Sequence, residues 1–281
     1  MNLIVQGYDV PTRALKQLAQ ISGASRIEQS APGVFRLHAA SPGEGIASLC
    51  DQHQIDWALV PESRRLDDFR LLVMDMDSTL ITIETIDELA DFVGKKEPVA
   101  AITAQAMRGE IHYDESLRRR VAVLEGLGED ALERVYRERV RLSPGAENLI
   151  SGVKRAGLKI LLVSGGFTHI TERLKSRLGL DYTHSNVLEV VNGRLTGKVQ
   201  GRIVNADGKR DALLAVRREL GIGKEHTIAM GDGANDLKFM AEAGVSIAYH
   251  AKPIVREQTT HALNYVGLDG ALPLFNWADG G

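Results

Sequence analysis

Residues 71–79, Leu-Leu-Val-Met-Asp-Met-Asp-Ser-Thr, constrain the fold more than any other stretch. Four apolar residues in a row fit a strand buried on both faces, as parallel sheets require. The run then breaks to Asp75 and Asp77, one residue apart, and on to Ser78 and Thr79. Such a break marks the carboxyl end of a strand opening into a loop, where open α/β sheets place their ligands. Two crowded carboxylates repel, and one holds its proton more tightly unless a cation lies between them. The stretch asks for a metal, a shared proton, or both. Taken alone, it is explained equally well as an Asp-rich turn after a core strand.

Three later apolar runs repeat the pattern. Lys159–Val163 ends in Ser164-Gly165-Gly166, Thr227–Met230 ends in Gly231-Asp-Gly-Ala-Asn-Asp236, and Val245–Ala248 follows. Helical spacing over 146–155, 168–178, 211–220 and 235–243 separates them, and Asn192-Gly193 marks a hairpin between 188–190 and 194–199. The alternation predicts an α/β fold, a Rossmann-like parallel sheet with helices on both faces. Strand ends of a parallel sheet share one edge, so Asp75, Asp77, Ser164, Asp232 and Asn235 are expected to converge on one crevice. Ser164 and two glycines opening a helix offer a hydroxyl and free main-chain N–H groups, an anion site. Three acids with little positive charge among them suit Mg²⁺, which takes oxygen ligands. Lys209, just before the helix at 211–220, is the candidate cation for the same anion. By spacing alone it reads as a loop lysine beside Arg210, and Ser164 and Asp232 singly read as a helix cap and a turn acid.

Between the first strand and the rest of the sheet, residues 81–140 read as four helices, expected to form a cap over the Asp75 loop. Arg118, Arg119 and Arg120 lie on the third. With Leu117, Val121 and Leu124 defining its inner face, Arg120 lies nearest the edge of that face. An arginine there suits a carboxylate ligand, although a charge run is ordinarily solvated. Glu84 opens the first cap helix, where the helix dipole alone favours an acid.

Residues 1–69 read β-α-β-β-α-β, a ferredoxin-like α+β module closed by the polar stretch Pro61–Asp68. The domains expected are this module (1–69), a core (70–80 and 141–281) and the inserted cap (81–140). The length of 281 residues fits about two domains at roughly 150 residues each, before the cap is counted. A net charge of −3 implies no nucleic-acid or membrane partner, and no run approaches the ~20 apolar residues of a membrane span. The single cysteine, Cys50, fits a reducing cytoplasm. The start, Met-Asn-Leu-Ile-Val-Gln-Gly, lacks the basic and apolar segments of a signal peptide.

Asp75-Met-Asp-Ser-Thr79, Ser164-Gly-Gly-Phe167, Lys209 and Gly231–Asp236, in this order, resemble the four motifs of the haloacid dehalogenase (HAD) superfamily of phosphatases. Residues 82–91, Met107-Arg-Gly-Glu110, 116–121 and 248–253 resemble the members that hydrolyse O-phospho-L-serine. The resemblance covers about residues 70–265. It implies an Asp75 nucleophile that becomes aspartyl-phosphate, Asp77 as general acid–base, and Ser164 and Lys209 on the phosphate. It implies Mg²⁺ on Asp75, Asp232 and the Asp77 carbonyl. Glu84 and Arg120 would hold the substrate's ammonium and carboxylate, with Gly165 and Asn235 as further substrate contacts. The N-terminal module resembles ACT-type small-molecule-sensing domains and offers a route to a homodimer. The implied activity is the last step of serine biosynthesis. The alternatives are a related phosphatase or phosphotransferase on another small phosphomonoester, with homoserine for instance as acceptor, or a non-catalytic amino-acid sensor on the same frame.

Overall fold

The module at the amino terminus follows from its patterning. In a computed structural model, which describes residues 1–276, β1 (Asn2–Gln6), α1 (Thr12–Ser22), β2 (Arg26–Ala31), β3 (Val34–His38), α2 (Ile46–Gln52) and β4 (Asp56–Val60) build a four-stranded sheet. Its order is β2-β3-β1-β4 with every neighbouring pair antiparallel, the ferredoxin-like arrangement. Leu3 and Val5 of β1 meet Leu15 and Leu18 of α1 and Ile46 and Cys50 of α2 in one apolar core. Helix α1 stops at Gly23, whose φ of 65° suits a residue without a side chain.

The chain continues through β5 (Leu71–Asp75), the cap helices α3 (Thr85–Phe92), α4 (Lys96–Met107), α5 (Tyr113–Ala122) and α6 (Asp130–Glu138), and α7 (Ala146–Arg155). Then come β6 (Lys159–Phe167), α8 (Thr168–Leu178), β7 (Tyr182–Val191), β8 (Arg194–Gln200) and α9 (Ala206–Leu220). The last elements are β9 (Thr227–Gly231), α10 (Leu237–Met240), β10 (Val245–Tyr249), α11 (Pro253–Arg256) and β11 (His261–Leu263). Two compact units result, with their division inside β5. One holds residues 1–72, 143–159 and the described residues from 222 on; the other holds 73–142 and 160–221.

In the first unit the strand order is β11-β10-β9-β5, and β10 runs parallel to both β9 and β11. Strands β9 and β10 are buried throughout, which explains their unbroken apolar runs. In the second unit the order is β5-β6-β7-β8, with β6 and β7 parallel and the β7–β8 hairpin antiparallel. The cap helices and this hairpin share one core, in which Leu89, Leu117, Val121 and Val135 pack with Leu188, Leu195 and Phe167.

Four elements depart from the sequence reading, among them α10, which covers only Leu237–Met240 of the expected 235–243. Strand β6 does not end at Val163. It runs on to Phe167, and its pairing with β7 shifts between Val163 and Phe167, so Ser164–Gly166 bulge out of the ladder. Helix α9 begins at Ala206 rather than 211, because the Asn205 side chain accepts the N–H groups of Asp207 and Gly208. Strand β7 begins at Tyr182, six residues before the expected hairpin, because its first half pairs with β6.

Candidate active site

The second unit gathers most of the polar candidates. Asp75 is the last residue of β5 and is 5% exposed. Its Oδ1 accepts the N–H of Met76 at 2.7 Å and pairs with Lys209 Nζ at 2.7 Å. Lys209 is 1% exposed and lies in the first turn of α9, not in a loop before it. A buried ion pair is costly to desolvate and is weak evidence for stability, so its presence at a strand end points to chemistry.

After Asp75 the chain makes an irregular turn over Met76–Leu80, with Ser78 at φ 57°. That left-handed conformation is strained for a serine, and such strain is concentrated at functional sites. Ser78 Oγ donates to Glu84 Oε1 at 2.7 Å. The turn lays the Asp77 carboxylate against the start of α3, where Thr85 Oγ1 donates to it at 2.5 Å. Burial first, then repulsion from Glu84, pushes the Asp77 carboxyl up to about 7, against the pull of Thr85 and Lys209. Burial pushes Glu84 up as well, but Glu84 is exposed and solvent screens the effect.

The bulge in β6 brings the glycines close to this turn. Gly166 N–H donates to Ser164 Oγ at 2.8 Å, so that N–H is not free as the motif suggested. A methyl group on Gly166 would meet Met76 Cε at 2.8 Å, Asp77 Oδ2 at 3.0 Å and Ser164 Oγ at 3.0 Å. Only glycine allows that approach. A methyl on Gly165 would overlap the Tyr113 hydroxyl. Asp75, Asp77, Ser164, Gly165 and Lys209 thus belong to one locality, with Glu84 joined to its turn through Ser78. On α5, Arg118 and Arg119 are exposed and Arg120 is half-buried, the order expected from the helix face.

In the first unit, β9 ends at Gly231 and the loop after it carries Asp232, half-buried, and Asn235, exposed. Asp236 is fully buried, and its Oδ2 accepts the N–H of Gly233 at 3.0 Å.

Sequence reasoning missed several residues. Thr85 reads as an ordinary helix-start residue. Asn186 is 1% exposed; it donates to the Gly165 carbonyl at 2.8 Å and accepts the Val204 N–H at 2.8 Å, tying the bulge to the segment before α9. Asn205 caps α9 and also donates to Asp114 Oδ1 of the cap at 2.9 Å. An asparagine just before a helical pattern is a readable cap signal. Nothing in the sequence marks Asn186 or Tyr113.

A strand-end aspartate paired with a buried lysine thus lies beside a second aspartate held near neutrality. The chain belongs to the haloacid dehalogenase-like hydrolases, whose family model matches residues 72–241. A phosphoserine phosphatase of Polaromonas sp. strain JS666 is 56% identical over 215 residues, 75% of this chain and 91% of that one. The crystal structure of a HAD family hydrolase from Salmonella enterica serovar Typhi is similar, with TM-score 0.88 and 32% identity over 98% of each chain. That of a probable phosphoserine phosphatase from Vibrio cholerae gives 0.85 and 35%, covering 97% of this chain and 85% of that one. Residues 3–46 match a domain family of unknown function. Among the described residues no helix is long and apolar enough to cross a membrane.

Proposed function

We propose that the protein is a Mg²⁺-dependent phosphatase that hydrolyses O-phospho-L-serine to L-serine and phosphate, acting in the cytoplasm as the last step of serine biosynthesis. The observation that carries this reading is the buried Asp75–Lys209 pair beside a protonatable Asp77. The 56% identity to a phosphoserine phosphatase supports the substrate. Asp75 attacks phosphorus in line, forming a carboxyl–phosphate bond as the seryl oxygen departs. Lys209 and Ser164 neutralise and orient the phosphate oxygens. Asp77, protonated at the outset, gives its proton to the seryl oxygen, which would otherwise leave as an alkoxide. It then takes a proton from the water that hydrolyses the aspartyl-phosphate.

The Mg²⁺ ligands we propose are Asp75, Asp232 and the main-chain carbonyl of Asp77, and an all-oxygen donor set suits that ion. When bound, Mg²⁺ supplies charge neutralisation on the phosphoryl oxygens. Arg120 and Glu84 take the substrate's carboxylate and ammonium, with Gly165 and Asn235 as further contacts. We also propose residues 1–69 as an ACT-like module able to dimerise, 70–80 and 141–281 as the catalytic core, and 81–140 as the cap.

Phosphate release from phosphoserine, measured with and without Mg²⁺ and against other phosphomonoesters, tests the reading. Selective, Mg²⁺-dependent release from phosphoserine is expected. Equal or better turnover of another monoester, or phosphate passed to homoserine in preference to water, would overturn it.

A further inference from the structure

The cap brings a second polar group to the Ser164–Gly166 bulge that none of the motifs announces. Tyr113 is the first residue of α5, and its hydroxyl rests on the α-carbon of Gly165. The side chain is half-buried, and its hydroxyl has no hydrogen-bond partner among the described residues. A phenol placed in a polar site ordinarily finds one. Its electrostatic neighbours are Lys209 first, then Arg120, Asp75 and Asp77. Burial pushes the hydroxyl up to about 12, so it keeps its proton at neutral pH and is a donor. A donor whose charged neighbours begin with two cations, Lys209 and Arg120, is matched by an anion that also touches Lys209. Two anchors hold the ring there. Asn186 fixes the Gly165 carbonyl, and Asp114, next in sequence, accepts from Asn205 at the cap of the Lys209 helix.

From this geometry we infer that Tyr113 is a phosphate-binding residue supplied by the cap: its hydroxyl donates to a phosphoryl oxygen held by Lys209 and Ser164. The inference rests on the phosphatase reading of the Asp75 site but not on phosphoserine as the substrate. It makes the cap a reader of the phosphoryl group and not only of the amino-acid end. Phosphate binding and the seating of α5 are therefore linked, because the ligand bridges Lys209 of α9 and Tyr113 of α5.

The test is binding of inorganic phosphate to the Mg²⁺-loaded full chain and to Tyr113→Phe, by calorimetry and as product inhibition. A charge-assisted hydrogen bond is worth about 1.5–3 kcal/mol, so phosphate should bind the Phe variant about 10-fold or more weakly. The KM for phosphoserine and for a monoester lacking a carboxylate should rise alike, while serine binding stays unchanged. Circular dichroism and melting temperature check that the near-isosteric variant folds. Unchanged phosphate affinity in a folded Tyr113→Phe protein would overturn the inference, as would loss confined to phosphoserine. If the wild-type protein fails to hydrolyse phosphoserine but the variant still loses phosphate affinity, the substrate reading falls and the Tyr113 assignment stands.

Discussion

Each unit buries one aspartate at a strand end, and the two are held in opposite ways. Asp56, at the start of β4 and 1% exposed, accepts three main-chain N–H groups, from Asn264 at 2.7 Å, Tyr265 at 2.9 Å and Val266 at 3.0 Å. Asp75, at the end of β5, is paired with the ammonium of a side chain. Main-chain donors are fixed by the fold and cannot be shared with a ligand. A lysine on a flexible stem can keep its carboxylate partner and still turn toward an incoming anion. Burial pushes Asp56 above the usual carboxylate range even though its three donors pull the other way. Its value lies in satisfying three partly buried N–H groups that tie β4 to the segment after β11. The contrast separates a carboxylate that holds the chain in place from one positioned to react.

Asp75→Asn breaks the reactive side of the comparison and carries the largest expected effect. Turnover should fall by at least about 10³-fold, with no acid-stable phosphoenzyme trapped from labelled substrate. Ordinary activity in this variant would remove Asp75 from the nucleophile role. Asp56→Ala breaks the other side. Orphaning three partly buried donors should cost about 3 kcal/mol in urea unfolding, while kcat and KM of the folded protein stay within about twofold of wild type. A larger kinetic than thermodynamic effect would erase the distinction.

The smallest effect concerns His261 on β11, also in the first unit, 8% exposed, with Arg64 Nη1 at 2.6 Å from its Nε2. Burial first, and Arg64 second, lower its pKa from 6.5 to about 4. A base whose folded pKa is depressed is held neutral, so its contribution is intact above pH 6.5 and is lost as pH falls toward 4. At pH 5.5 the loss should be about 1 kcal/mol, read as a lower urea midpoint than at pH 7.5. His261→Gln should flatten that slope. An unchanged slope would assign it to another group.

Much of the site was written in residue order. Asp75, Asp77, Ser164 and Asp232 each follow an apolar run; the strand ends this predicted are found at Asp75 and before Asp232, whereas Ser164 lies inside β6. Lys209 was readable only as part of a pattern, because a lysine beside an arginine looks solvated until the Asn205 cap draws it into a helix and under Asp75. Arg120 was ranked correctly among three arginines by helix spacing, since burial on a helix is a periodic property. Thr85, Asn186 and Tyr113 left no local signal. Asn186 acts on Gly165 and Val204, 21 and 18 positions away, and Tyr113 on Gly165, so no short window of sequence contains both partners; Thr85 is only eight positions from Asp77, but their contact exists only once the turn over Met76–Leu80 has formed.

The sequence by itself determined the alternation of buried strands and amphipathic helices, the run of helices after β5, and which strand ends carry acid, because all of these are encoded in local periodicity and composition. Only the tertiary structure decided that Ser164–Gly166 bulge out of β6, that Gly166 spends its N–H on Ser164, and that Lys209 is buried against Asp75. It alone set the Asp77 carboxyl near neutrality and seated a cap tyrosine on Gly165. Those properties depend on desolvation and on approach distances between segments far apart in the chain, and neither quantity exists until the chain has folded.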